Sequence, residues 1–330
     1  MQIALIYNQP VPSSYDILGE SKAENGVLDT VKAVRRSIKG LGYDYVELPL
    51  NLPLENVHEA LSRLHVDIVF NLFEGFAGMP ATEAFVAGLL EKLGLPFTGS
   101  SSQTLALALD KASTNQRLRS HGVRTANQQL LTVHDLDRFH LGFPCIVKPR
   151  ADDASHSLSE KSVVFDMDAL SREVDRMVNR YDGAAALVEE FLEGREFNAT
   201  VWGVDSPIVL PLSEIIYSLP EGLPKILTFA AKWEPKSMYF AHTAVQCPAN
   251  VTPELRVAIQ STALMAFKAV GCHGYGRVDM RLNKDGHPVV MEVNANPDIA
   301  PGTGVARQVK AARLTYKAMV SKIIDFGLAR

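Results

Sequence analysis

Gly276-Arg277-Val278-Asp279 and, beyond a polar break, Glu292-Val293-Asn294 are the residues whose reading decides the fold. They lie in, or directly after, Tyr275 to Leu282 and Val289 to Val293, two apolar runs that predict consecutive strands. Residues two apart on a strand share a face, so Arg277 and Asp279 point together, as do Glu292 and Asn294. Two such strands side by side aim two carboxylates, an amide and a guanidinium into one space. The oxygen donors suit a hard cation such as magnesium, and the guanidinium suits a transferring phosphoryl group or a developing oxyanion. A salt bridge across a surface hairpin would use the same residues.

Upstream, residues 1 to about 100 alternate between apolar runs and helical periods. Ile3 to Tyr7, Tyr45 to Leu48 and Val66 to Phe70 predict strands. Between them, Val27, Leu28, Val31, Val34 and Ile38, then Val57, Leu61 and Leu64, carry the 3.6-residue spacing of helices. This β-α-β-α-β order predicts a parallel sheet that binds ligands at the carboxyl ends of its strands. Further on, Phe143 to Lys148 and Ser162 to Val164 predict a hairpin around a polar loop, Arg150 to Lys161. The remainder is mostly β, with helices from Pro253 to Val270 and from about Val305 to Phe326. The expected division is 1–100 for an N-terminal Rossmann-like substrate domain, 101–184 for a central lobe and 185–330 for a C-terminal lobe with the metal site.

Two lysines have apolar approaches: Lys148 ends the run Cys145-Ile146-Val147, and Lys111 follows Leu109-Asp110 at the start of a helical turn. A lysine at a strand end beside a flexible loop holds phosphate as a point charge; a solvated lysine is the plain alternative. In Val188-Glu189-Glu190-Phe191-Leu192, followed by Gly194-Arg195-Glu196, one carboxylate and the adjoining main chain can read an adenine amino group, and a later carboxylate the ribose. No Gly-x-x-x-x-Gly-Lys-Ser/Thr motif occurs, so a nucleotide would not sit on a P-loop.

The 330 residues, 47% hydrophobic and 21% charged, describe a folded protein of more than one lobe. The 33 basic and 37 acidic residues give a net charge of -4, no field for a polyanion, so nucleic acid is not an expected partner. No apolar run spans a bilayer, and the start at Ile3 lacks the basic region of a signal peptide, so a cytoplasmic location is expected, with no membrane partner. Cys145, Cys247 and Cys272 lie far apart and are expected to be buried thiols.

Taken in order, Leu109-Asp110-Lys111, Ile146-Val147-Lys148-Pro149, Glu189 to Glu196, Ala230-Ala231-Lys232-Trp233, Gly276 to Asp279 and Glu292 to Pro297 resemble the ATP-grasp superfamily. Within it the likeness is to D-alanine:D-alanine ligases, over nearly the whole chain. The resemblance implies an α/β ATP-grasp fold, with an N-terminal parallel-sheet domain and two α+β lobes holding ATP between them. It implies an ADP-forming carboxylate:amine ligase acting through an acylphosphate on small amino-acid-like substrates. Lys111 and Lys148 would contact phosphates, Glu189 with the backbone of Phe191 and Leu192 would hold adenine, and Glu196 the ribose. Lys232 would stand near the γ-phosphate and Ser155 in the phosphate loop. Asp279, Glu292 and Asn294 would hold magnesium or manganese, and Arg277 would stabilise the acylphosphate. Homodimerisation is suggested by the likeness alone.

The chain departs from that family where substrates are chosen. Phe73-Glu74-Gly75-Phe76-Ala77-Gly78-Met79-Pro80 replaces a His-Gly and a Gly-Glu-Asp-Gly element. The phosphate loop carries Asp152 and Asp153, and Trp233 stands in place of a tyrosine. Asn294-Ala295-Asn296-Pro297-Asp298 replaces an Asn-x-x-Pro-Gly turn, Thr303 stands near a carboxylate-binding serine, and a substrate-binding glutamate has only near neighbours, Glu20 and Glu24, of which Glu24 is the candidate. Asp298 predicts a bound ammonium, and Phe73 and Phe76 predict a pocket for a body larger than a methyl group. A small-molecule kinase, an acid:thiol ligase or a nucleotide-binding protein without turnover would share the same ATP site.

Overall fold

The computed structural model describes residues 1–9, 21–76, 79–151 and 157–330, with backbone alone for 21–25. The N-terminal strands are β1 (Gln2–Asn8), β2 (Asp44–Leu50) and β3 (Ile68–Leu72), parallel in the order β2-β1-β3. Ile3, Ala4, Leu5 and Ile6 are all fully buried, as expected of a central parallel strand covered on both faces. Val27, Val31, Val34 and Ile38 of the helix Ser21–Gly40 cover one face; Val57 and Leu61 of Leu54–Ser62 and the helix Thr82–Lys92 cover the other.

The central sheet contains β4 (Gln128–Leu131), β5 (Cys145–Lys148), β6 (Val163–Val164) and β7 (Ala186–Glu190), antiparallel in the order β4-β7-β5-β6. The helix Met167–Arg180 closes it with Leu170, Val174 and Met177. Strand β7 is thus hydrogen-bonded into the central lobe, on the far side of the boundary expected at residue 185. The strand that follows it across Gly194 joins the next sheet. A Cβ on Gly194 would lie 2.1 Å from the carbonyl oxygen of Leu282, so only glycine lets the connection pass this close.

The C-terminal sheet is built from β8 (Glu196–Gly203), β9 (Ile208–Val209), β10 (Ser213–Tyr217), β11 (Thr243–Gln246), β12 (Gly274–Leu282) and β13 (Pro288–Asn294). Its order is β11-β10-β8-β12-β13, with β9 paired to β8. The helix Pro253–Val270 packs beneath β8 and β13. It starts at Thr252, whose hydroxyl accepts from Leu255 N–H, with proline at the first helical position, and it ends at Gly271 with φ of 83°. Gly276 has no room for a side chain to spare: a Cβ would stand 3.2 Å from both Asn294 O and the Phe267 ring. This close packing seats Arg277, the next residue, against the end of β13.

Cys145 is buried as expected, whereas Cys247 and Cys272 are only partly buried; all three are free thiols. Among the described residues no helix is long and apolar enough to cross a membrane.

Candidate active site

Strands β12 and β13 place the deciding residues as their alternation predicts. Arg277 is opposite Asn294 and Asp279 opposite Glu292, with a register irregularity just beyond Asp279. Arg277 forks onto Asp279, Nε to Oδ1 and Nη2 to Oδ2, both at 2.8 Å. Asn198 Nδ2, from β8, donates to Asp279 Oδ1 at 2.7 Å, and Asn294 Oδ1 accepts from Asn296 N–H at 3.0 Å. Burial opposes the charge on Arg277, but Asp279 above all, then Glu292 and Asp298, hold its pKa above the ordinary arginine value.

The two lysines converge on the same space from different elements. Lys111 is the first residue of the helix Lys111–Ser120, which is capped by Asp110, whose Oδ1 accepts from Ser113 N–H at 3.1 Å. Its Nζ lies 3.1 Å from Glu292 Oε1. Lys148, at the end of β5, pairs with Glu189 of β7 at 2.6 Å, with side chains 11% and 4% exposed. Burial would raise the Glu292 pKa; Lys111, Lys148 and Arg277 overcome it and hold the carboxyl well below the usual range. Lys232, at the last turn of the helix Phe229–Trp233, has its pKa lowered by burial and by Arg277, against the attraction of Glu292, Asp279 and Glu196. Arg277, Asp279, Glu292, Lys111, Lys148 and Lys232 therefore form one electrostatically linked group.

Other assigned residues are engaged differently. Glu196 is not an exposed strand carboxylate: its Oε2 accepts from Arg281 Nε at 3.0 Å, Arg281 Nη2 at 2.6 Å and the Tyr217 hydroxyl at 2.7 Å. Phe191 and Leu192 are buried where β7 leaves the central sheet, Phe191 N–H donating to Pro144 O. A cavity of about 590 Å³ is lined by Glu190 and Phe191 with Arg119, His140 and Phe143, but by none of these lysines or candidate metal ligands. Ser155, Asp152 and Asp153 lie outside the described residues, as does the side chain of Glu24. Thr303 caps the helix Gly304–Ala311, and its hydroxyl donates to Ala300 O at 2.7 Å, leaving it an acceptor toward any ligand in this conformation.

Phe73 and Phe76 are core residues, 0% and 4% exposed. They stack edge-on with centroids 4.9 Å apart inside the N-terminal core with Ala4, Ile6 and Leu50. Packing claims both rings, so the apolar enlargement expected from them is withdrawn. Sequence reasoning also missed the residues that hold the site: Asn198 on Asp279, Asn115 on Glu189 at 2.8 Å, and Arg281 with Tyr217 on Glu196. Only the alternation of β12, which sets Arg281 on the face of Arg277 and Asp279, signalled any of them.

The donor set fits a hard divalent cation. Asp279 Oδ2 accepts a single bond, from Arg277, and keeps lone-pair capacity, while Glu292 remains 29% exposed. Among the described residues no group of three His, Cys, Asp or Glu side chains is placed to hold a metal; Asp279 and Glu292 stand as a pair, with the Asn294 amide two residues along β13.

Residues 116–325 match the family model described as D-ala D-ala ligase C-terminus. The chain is 33% identical over 318 residues to a D-alanine–D-alanine ligase of Nitrosospira multiformis, covering 95% of each. It is 32% identical over 263 residues to the uncharacterized protein y4sG of Sinorhizobium fredii, covering 80% of this chain and 75% of that one. Among solved structures, the D-alanine–D-alanine ligase of Bacillus anthracis complexed with ATP superposes with a TM-score of 0.76 at 24% identity, over 100% of this chain and 98% of that one. VanG D-Ala:D-Ser ligase of Enterococcus faecalis gives 0.74 at 20% identity, covering 99% of each. The fold is that of the ATP-grasp ligases.

Proposed function

We propose that this chain, which belongs to the D-ala D-ala ligase C-terminus family, is an ADP-forming carboxylate:amine ligase that makes an amide between two small amino-acid-like substrates. The observation that carries this reading is the convergence of Arg277, Asp279 and Glu292 with Lys111, Lys148 and Lys232 from three separate elements.

ATP is the phosphoryl donor in this reading. Lys111 and Lys148 neutralise its phosphates as point charges. Glu189, with the main chain of Phe191 and Leu192, holds the adenine. The ribose falls to Glu196, whose Oε1 is the oxygen left over from Arg281 and Tyr217. Asp279, Glu292 and Asn294 would hold a divalent cation, which supplies charge neutralisation between the phosphates when bound. Lys232 meets the transferring phosphoryl group, and its lowered pKa reflects the burial that makes such a charge effective there. Arg277, fixed in direction by its fork on Asp279, neutralises the acylphosphate and the oxyanion formed as the amine attacks. The bond formed is C–N, phosphate leaves, and the amine gives up a proton. Ser155 is assigned to the phosphate loop, and Glu24, Asp298 and Thr303 to the substrate end. The protein's contribution is positioning and electrostatic stabilisation rather than covalent chemistry.

An ADP-release screen against amino acids and dipeptides, singly and in pairs, tests the proposal. A signal that needs two compounds, with an amide as product, is the expected result. A phosphate ester from one compound would assign a kinase instead.

A further inference from the structure

Asp298 is an incompletely paired carboxylate at the substrate end of the site. Its Oδ1 accepts from Ala300 N–H at 2.7 Å and from the Thr30 hydroxyl at 3.4 Å. Among the described residues no donor reaches Oδ2. The cation facing it is Arg277, whose Nε and Nη2 are already taken by Asp279. Its charge is also felt by two hydroxyls: Tyr275, which donates to Asn296 Oδ1 at 3.0 Å, and Tyr316, whose oxygen is buried and, among the described residues, without a hydrogen-bond partner. The loop carrying Asp298 is pinned to the N-terminal domain by Asn296, whose Nδ2 donates to Glu83 Oε1 at 2.8 Å.

A partly buried charge with half its acceptor capacity unused costs stability in the free protein, and such costs persist at functional sites. Resting on the ligase reading above, we propose that Asp298 is the specificity-determining residue that binds the ammonium of an amino-acid substrate and so selects amines over the matching hydroxy acids. A hydroxyl in that place would leave the charge uncompensated, whereas an ammonium donates to Oδ2 and cancels it.

Asp298→Asn keeps the shape and the Oδ1 acceptor but removes the charge. Two readouts decide the proposal. The first is the melting temperature of the free protein, which needs no substrate: the variant is expected to melt higher, by about 1–3 °C. A lower melting temperature would mean that the carboxylate serves the 298–303 turn and would overturn the proposal. The second is ADP release with D-alanine and D-serine against D-lactate and D-glycerate. The variant is expected to raise KM for the amino acid about 10-fold or more, leave KM for ATP unchanged, and narrow the preference over the hydroxy acid. An unchanged amino-acid KM would sink the proposal while leaving the ligase reading intact. If the wild-type protein released no ADP with any pair, the ligase reading would fail, and the melting temperature would still decide whether Asp298 is an unpaired charge.

Discussion

Lys111 Nζ and Glu292 Oε1 stand 3.1 Å apart, although one is assigned to phosphate and the other to a metal ion. Lys148, also assigned to phosphate, is likewise paired with a carboxylate, 2.6 Å from Glu189, the residue assigned to adenine. In the free protein the site is neutralised by its own carboxylates, so binding must exchange partners: phosphates take the lysines as a cation takes Glu292. Nucleotide and divalent metal are therefore expected to bind cooperatively. Thermal shifts with ATP alone, magnesium alone and both should show a combined shift larger than the sum. Glu292→Gln should lose turnover while keeping much of the nucleotide affinity; wild-type activity in that variant would remove the metal assignment.

Lys111→Ala and Lys148→Ala should each weaken binding of a nonhydrolysable ATP analogue by about 10-fold or more, the value of a charged hydrogen bond. The two differ in stability. Removing Lys148 strands Glu189, 4% exposed, and costs about 3–5 kcal/mol. Removing Lys111 leaves the more open Glu292 and costs less. Calorimetric titration and urea melts separate the effects, and unchanged affinity in both variants would return the lysines to a structural role.

The root of the phosphate loop is tied to the helix of Lys111 twice. Arg150 Nε and Nη2 donate to Asp110, at 3.1 and 2.5 Å, and Lys111 N–H donates to Arg150 O at 3.1 Å. Asp110→Asn retains the helix cap but weakens the fork, so it should raise KM for ATP with little change in melting temperature. Asp110→Ala should lose both, at a further cost of about 1 kcal/mol. Equal ATP KM values in Asp110→Asn and the parent would show that the fork does not position Lys111.

Burial raises the pKa of Asp298, against the opposing pull of Ala300 N–H, Thr30 and Arg277. Between the ordinary aspartate pKa and that raised value the folded state binds more protons than the unfolded one, so this group's contribution to stability falls as pH rises through the window. Among the described residues the groups that feel this charge are Arg277, Tyr275 and Tyr316, of which none titrates there. The stability gained by Asp298→Asn should thus be fully present near neutrality and vanish below the ordinary aspartate pKa. A gain independent of pH would mean that the charge is not its source.

What the sequence made legible were features with a local period. The alternation around Arg277 and Glu292 placed both pairs on one face, and the apolar stripe of Val27, Val31, Val34 and Ile38 located the helix over the parallel sheet. The helix Pro253–Val270 announced itself through Thr252, Pro253 and Gly271. The partners of the site residues were not legible, because Asn115, Asn198 and Tyr217 reach their carboxylates across 21 to 81 positions of chain with no periodic signal. Phe73 and Phe76 misled for a related reason: an aromatic pair beyond a parallel strand reads the same whether it lines a pocket or closes the core beneath it. The position of β7 was lost because its alternation says nothing of which neighbour it pairs with.

The central claim is that one active site joins a carboxylate to an amine at the expense of ATP. Its most direct test is to follow ADP and product together for the wild-type protein with magnesium, ATP and pairs of small amino acids, using coupled ADP detection and mass spectrometry. The expected result is ADP that requires two amino-acid-like compounds, with an amide formed in equal amount and lost in Arg277→Ala. ADP accompanied by a phosphorylated single substrate or a thioester, or amide synthesis unaffected in Arg277→Ala, would contradict the account.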